Sequence, residues 1–452
     1  MTKDMTEGKP LRLILSFFFP LLMGNLFQQF YNLADSIIVG RFVGVSALAA
    51  VGSTGSLSFL VIGFVLGICS GFGIPMAQYF GAGDLRSMRH CIANAVYLSG
   101  IVTVVLTTAV MLTTRQILTL LRTPADIFEQ AYSYIIVIFA GIFAIMFYNL
   151  LASISRALGD SKTPLYFLVI ASILNVVLDL VFIINFHMGA EGAAYATVIA
   201  QVVSGLLCLI YMSKKFTVLH MNRDELQPNM QMMGHLLYMG LPMALQFSIT
   251  AVGSLVMQVA VNSFGSGVVA AVTASNKVQM IITQPLETMG ITMATYCGQN
   301  LGAKKIHRIE AGVKQSLVAS LIYCVFACGV VFIAGTLIAQ LFIHKEETQI
   351  LAQVSQYMRI CSLFFPCLAT LFILRNSLQG LGFAVSAMLA GVSEMIARII
   401  VAFCLVGAFG FNAICFSNPA AWSFAVVILV PMYLSKIKKL RYIHPNEEAM
   451  PL

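Results

Sequence analysis

The stretch Pro20-Leu-Leu-Met-Gly-Asn25-Leu-Phe-Gln28-Gln-Phe-Tyr31-Asn32-Leu-Ala-Asp35-Ser-Ile-Ile-Val-Gly40-Arg41 sets one carboxylate and a row of amides inside an otherwise apolar run. On a helix, Asn25, Gln28, Asn32 and Asp35 fall at i, i+3, i+7 and i+10 and draw one polar stripe on an apolar cylinder. Such a helix reads as a membrane span, where a charged side chain costs about 3 kcal/mol on insertion scales. Asp35 therefore marks either a functional site on a wet cavity or a hydrogen bond satisfied between helices.

The rest of the chain supplies the membrane context. Of 452 residues 59% are hydrophobic and 10% charged, with a mean hydropathy of +0.90, which excludes a soluble domain. Twelve apolar runs are each able to cross about 30 Å of hydrocarbon as a helix. They cover roughly 11–39, 46–75, 92–112, 127–151, 165–186, 190–212, 235–263, 268–295, 312–342, 353–376, 384–408 and 411–434. The expected fold is an all-α integral membrane protein of twelve transmembrane helices, with no soluble domain between them. Residues 1–10 are polar and lack the apolar core of a cleaved signal peptide.

A formal charge of +8 raises a nucleic-acid partner, but Lys and Arg sort by side of the membrane instead. With the N-terminus inside, cytoplasmic segments hold eighteen, and outer segments hold four, Arg41, Arg115, Arg122 and Lys345. By the positive-inside rule both termini are cytoplasmic, in the plasma (inner) membrane, and no nucleic acid is expected. The ten cysteines fall almost entirely within spans and read as small hydrophobes, so neither zinc, nor any other metal, nor a disulfide is expected.

Polar residues 214–229 divide the spans six and six. The expected organisation is an N-terminal lobe at 1–213, a cytoplasmic linker at 214–234, a C-terminal lobe at 235–435 and a cytoplasmic tail at 436–452. A shift near 222 lays Pro20 on Pro242, Phe42 on Phe264 and Ala49 on Ala271. A shift of 221 lays Gln78-Tyr-Phe-Gly81-Ala82 on Gln299-Asn-Leu-Gly302-Ala303. Two six-helix lobes entered from the same side form a parallel repeat, with a V-shaped central cavity between them. Pro20 and Pro242 break the first helix of each lobe and are hinge candidates, although membrane helices also tolerate proline.

The fifth span adds Asn175 and Asp179, one turn apart. Asp35 and Asp179 each lie about 9–12 Å inside the outer surface at 1.5 Å per residue. Two carboxyls meeting at that depth cannot both ionise freely and would share a proton, as a proton carrier requires. The second half has Met257 opposite Asp35 and a neutral stripe of Thr250, Ser254 and Gln258. Glu394 and Arg398, at i, i+4, read as a structural ion pair. Lys277 and Arg375 are candidate cations of the substrate cavity, with Gln28, Tyr31, Asn32 and Asn149 as its candidate lining.

A transporter needs an energy source, and no phosphate-binding loop appears; Gly298-Gln-Asn-Leu-Gly302-Ala-Lys304 lacks the spacing and the Lys-Ser/Thr end. No cofactor is expected, and an ion gradient remains. Gly81-Ala-Gly-Asp84 is the pattern of an intramembrane aspartyl protease, but it sits beside Arg86 and Arg89 in a cytoplasmic loop and reads as a solvated acid.

Tyr31-Asn-Leu-Ala-Asp35-Ser, Arg156-Ala-Leu-Gly-Asp160-Ser, Asn175/Asp179 and the six-plus-six layout together resemble the multidrug and toxic compound extrusion family over the whole chain. That resemblance implies a secondary active antiporter, not an enzyme, that expels amphipathic, often cationic, organic compounds and acts as a monomer in the lipid bilayer. It also implies that Asp35, Asn175 and Asp179 form the cation site of the proton-coupled, DinF-like branch. The sodium-coupled branch expects a seventh-helix Glu and a tenth-helix Asp, where this chain has Thr250 and roughly Leu368. H+ is therefore the expected coupling ion and Na+ the alternative. A lipid-linked oligosaccharide flippase of the same superfamily is the rival transporter.

Overall fold

The computed structural model describes residues 3–121, 123–340 and 346–443. Arg122 and Lys345, two of the expected outer cations, and the end of the expected tail lie outside them. Twelve helical segments run through the described residues. In the first half these are α1 (Pro10–Ile38), α2 (Val45–Ser53) with α3 (Gly55–Gly81), α4 (Leu85–Leu120), α5 (Phe128–Ala140) with α6 (Ile142–Ala157), α7 (Lys162–Leu180) and α8 (Gly189–Lys215). In the second half they are α9 (Met230–Asn262), α10 (Ser266–Gly302), α11 (Ile306–Ala339), α12 (Thr348–Leu363) with α13 (Phe365–Gly380), α14 (Ala384–Ile400) with α15 (Val406–Phe409), and α16 (Phe411–Ile443).

Among the described residues, nine helices, or up to eleven spans with each bent pair counted as one, are long and apolar enough to cross a membrane. The 37-residue α10 is not among them; it carries Lys277, Glu287 and a run of hydroxyl and amide residues. Outward-facing Val104, Leu112, Val325 and Ile333 are 66–90% exposed, an apolar coat that only lipid satisfies. The chain is a multi-pass, all-α membrane protein.

Two predicted spans are bent and one is interrupted. α5 and α6 meet at 45° and α12 and α13 at 52°. The first bend falls at Gly141, where a Cβ would run into Val198 of α8, so close approach requires glycine there. In α13, Pro366 stands in the opening turn, where its missing N–H costs nothing. The predicted single span 46–75 is instead α2 and α3, separated at Thr54, whose hydroxyl bonds back to Val51 O at 2.7 Å.

Three π-helical turns, at Val39–Val43, Val181–Asn185 and Val401–Leu405, close with amides that reach back five residues, as Gly44 N does to Val39 O. Each follows a charged residue singled out above, Asp35, Asp179 and Arg398 respectively. Such turns concentrate at functional sites.

The chain forms two compact units. One holds the described part of 1–4 and Phe19–Ala244; the other holds Met5–Phe18 and the described residues from Leu245 onward. The divisions at Phe18/Phe19 and Ala244/Leu245 cut α1 and α9. Both fall within two residues of Pro20 or Pro242. In the first unit, the early turns of α9 lie against α3. A Cβ on Gly67 would sit 2.6 Å from Ala244 Cα, and one on Gly71 would overlap Gly240 Cα. This seam of small residues lets two backbones touch, the commonest way membrane helices gain dispersion energy. In the second unit, Met5 N donates to Gln299 Oε1 at 2.9 Å, while Asn300, Lys305 and Arg308 donate to the carbonyls of Met5, Thr6 and Gly8.

The linker is strapped to α4 inside the first unit. Arg89 grips Glu225 through two bonds of 2.6 and 2.8 Å, and Arg86 meets Asp224 at 2.8 Å. The Arg89 guanidinium, with Asn222 N, holds the Glu225 carboxyl down at about 2.

Candidate functional site

Asp35 on α1 and Asp179 on α7 face each other at hydrogen-bonding range. Asp179 is fully buried. Neither of its oxygens, nor Asp35 Oδ1, nor Asn175 Oδ1, meets a donor. Two ionised carboxylates have only acceptors to offer, so this arrangement has room for a shared proton or a bound cation and little else.

Neighbouring helices fix the geometry. Asn175 donates its amide to Thr197 Oγ1 of α8 at 3.2 Å, and Tyr31 reaches the same hydroxyl at 3.4 Å. Tyr134 of α5 lies within electrostatic range of both acids. Beyond the carboxyls, the first two π turns pack together, with Ile38, Val39, Ala47, Ile183, Ala190 and Ala193 in one buried apolar cluster.

Further along α1, the same unit contains a cavity of about 70 Å³ whose lining includes Pro20, Asn25, Gln28, Asn149, Arg156 and Gln201. Gln28 and Asn149 thus meet in one cavity. Asn149 spends its own amide on Ile145 O at 2.8 Å, whereas Gln201 Oε1 has no partner. Tyr31 and Asn32 do not line it; Tyr31 turns to Thr197 and Asn32 is exposed.

In the second unit, Glu394 joins two arginines. Arg398 Nη2 lies 3.6 Å from Glu394 Oε2, as the i, i+4 spacing implies. Arg375 Nη1 lies 3.1 Å from Glu394 Oε1, so this candidate cavity cation is paired with an acid. Nineteen residues and a helix change separate that pair, so helical spacing could not show it. Lys277 is exposed and makes no ion pair among the described residues.

Two motif residues prove to be caps. Asp84, the acid of the protease-like pattern, accepts from Ser87 N at 3.0 Å and opens α4; its bonds with Ser87 hold the carboxyl below its ordinary value. Asp160 accepts from Lys162 N, Thr163 N and Thr163 Oγ1 and opens α7. Sequence reasoning missed Thr197, Tyr134 and Gln201. Thr197, Gln201 and Ser204 at i, i+4 and i+7 were the available signal on α8.

Comparison with known proteins follows the same lines. The MatE family profile matches residues 20–181 and again 242–404. The two starts are 222 residues apart, so the halves are copies of one motif in the same direction. The chain is 29% identical over 381 residues to a probable multidrug resistance protein YpnP of Bacillus subtilis (strain 168), covering 84% of each. It is 23% identical to the probable multidrug resistance protein NorM of Thermotoga maritima, covering 86% of this chain and 84% of that one. Its fold matches a multidrug resistance MATE family transporter in an outward-facing conformation, with a TM-score of 0.90, 22% identity and coverage of 96% and 97%. These matches do not favour the oligosaccharide flippase. The family match makes the chain a secondary transporter and not an enzyme. The chain belongs to the multidrug and toxic compound extrusion (MATE) family.

Proposed function

We propose that the chain is a proton-coupled antiporter that exports amphipathic organic cations across the plasma membrane. It works as a monomer, by alternating access, with both termini in the cytoplasm. One observation carries the reading: Asp35 and Asp179 converge with three buried oxygens that no donor satisfies. A proton between them supplies the missing hydrogen bond. Without it, the excess negative charge favours an organic cation in the adjoining polar cavity. Proton and substrate then compete, and linkage makes the competition reciprocal.

The relatives' printed multidrug names support drug export. The first-half position of Asp35, Asn175 and Asp179 supports the proton-coupled, DinF-like branch. Unit boundaries beside Pro20 and Pro242 support these prolines as hinges.

Sodium is the second reading, because Asn175 Oδ1 adds a fourth donorless oxygen and hard cations take all-oxygen sites. Purified protein in liposomes separates the two. A pH gradient should drive dye uptake, Asp35→Asn should abolish it without loss of folded protein, and substrate should release protons from wild type but not from Asp35→Asn/Asp179→Asn. Full efflux by Asp35→Asn would sink the proposal, and transport driven by sodium without a pH gradient would replace the proton.

A further inference from the structure

The second unit has its own cavity, and its polarity is the opposite of the acid site's. It measures about 190 Å³ and is lined by residues of α9, α10, α12, α14 and α16, with Met257, Val261, Val272 and Ile414 supplying apolar wall. Arg398 opens onto it. Arg398 is 6% exposed, and its Nη1 is buried with no partner.

The neutral groups nearby also present donors. Asn418 Nδ2 donates to the Tyr357 hydroxyl at 3.0 Å, and that hydroxyl donates to Asn276 Oδ1 at 3.2 Å. This chain uses up the Asn276 oxygen and leaves its amide hydrogens for a ligand. Around the acid pair, acceptors lack donors; here, a guanidinium lacks an acceptor. The charged groups nearby are Arg398, Glu394 and Arg375, with Glu287 next to Arg375. Glu394 divides its two oxygens between the two arginines, and its contact with Arg398 is the longer one.

A π turn follows each of these charges in its own unit, Val181–Asn185 two residues after Asp179 and Val401–Leu405 three residues after Arg398. One unit therefore carries an acid just ahead of its π turn and the other a base.

We propose that this cavity binds the carboxylate end of amphipathic substrates. Arg398 Nη1 is the charged anchor, the Asn276 and Asn418 amides are supporting donors, and the Met257, Val261, Val272 and Ile414 wall holds the apolar body. A cavity of about 190 Å³ is larger than a monatomic anion needs, and its apolar wall calls for more than an inorganic ion. A carboxylate oxygen can accept a charge-assisted bond from the unpartnered Nη1. The substrate class thereby widens from organic cations to molecules that also carry an acid. This extension rests on the exporter reading, but it is tested by binding and stays distinguishable from proton coupling in the first unit.

Trp422 is the sole tryptophan and follows Asn418 by one turn of α16, so its fluorescence reports on this cavity. Purified full-length protein is titrated with 4-hexylbenzoate and with its neutral analogue, 4-hexylbenzamide. The benzoate should bind saturably and at least about tenfold more tightly than the amide, a difference of about 1.4 kcal/mol. Arg398→Gln should erase that preference. Ser254→Asp, which places a competing carboxylate on the cavity wall without touching the ion pairs, should weaken the benzoate to a similar degree if Arg398→Gln does not fold. Asp35→Asn should leave benzoate binding unchanged even if it abolishes transport.

Equal binding of benzoate and benzamide to wild type, or unchanged benzoate affinity in folded Arg398→Gln or Ser254→Asp, overturns the assignment. Chloride or inorganic phosphate displacing the benzoate as effectively as free benzoate does would assign the cavity to an inorganic co-ion and overturn the substrate reading.

Discussion

Gly71→Ala is the sharpest test of how the first unit is held together. The new Cβ would overlap Gly240 Cα and lie 2.8 Å from Gly240 N and 2.9 Å from Met239 O, all backbone atoms that no rotamer change can move. Restoring ordinary contact pushes α9 away from α3 by the better part of 1 Å. A gap of that size forfeits a quarter to a half of the dispersion well along the seam. Overpacking of this kind costs about 1–3 kcal/mol, and a backbone-to-backbone clash belongs at the upper end. For a unit of this size, about 2–3 kcal/mol corresponds to a fall in Tm of roughly 4–12 °C. The readout is a thiol-reactive dye that reports unmasking of Cys69, which is 1% exposed and two residues from Gly71. Gly234→Ala on α9 is the control. Nothing lies within 4 Å of its Cβ, so it should be neutral, or stabilising by up to about 1 kcal/mol through helix propensity. Equal melting of Gly71→Ala and wild type would refute the reasoning.

Glu225→Gln should release the linker from α4. Because Arg89 depresses the Glu225 carboxyl to about 2, its contribution is present above the ordinary glutamate value of 4.5 and is lost as pH falls toward 2. Hydrogen exchange should therefore show wild-type amides 217–229 equally protected from pH 8 to pH 5, after correction for intrinsic rates, and the variant unprotected throughout. Glu394→Gln leaves Arg375 and Arg398 without their shared acid and should cost about 3–5 kcal/mol; thermal melts should show Arg375→Gln recovering part of that loss in the double variant. Thr197→Val removes the hydroxyl used by both Tyr31 and Asn175 and should lower dye efflux by about tenfold, about 1.4 kcal/mol, with Thr197→Ser restoring it. Normal efflux in Thr197→Val would show that the hydroxyl does not position Asn175.

Residues that stand out against an apolar background were legible in the sequence. Asp35, Asn175 and Asp179 could be found because a charge or amide in a lipid-length run demands a reason, and α1 carried its stripe at helical spacing. Thr197 and Tyr134 escaped because hydroxyl and aromatic residues are ordinary in membrane helices, so only a partner reveals their use. The pairing of Arg375 with Glu394 depends on a contact between helices, which no period within one helix encodes. The compact units were not legible for a similar reason. Polar linkers mark where a chain leaves the membrane, whereas membership in a unit is decided by seams such as Gly67 and Gly71 against Gly240 and Ala244.

The π turn after Asp179 has a consequence for how this chain tolerates length changes. A π turn seats one residue more than an α turn, so deleting a single residue within Val181–Asn185 would let the helix close into regular geometry. The span would keep its hydrophobicity and still cross the bilayer. Yet everything on one side of the deletion would rotate by about 100° against the other, since each residue advances an α-helix by that angle. With Ile183 and Ala190 anchored in their apolar cluster, the side that turns is the one bearing Asp179, and its carboxyl swings away from Asp35. The extra residue is thus an indexing element: its presence, more than its identity, aims the acid.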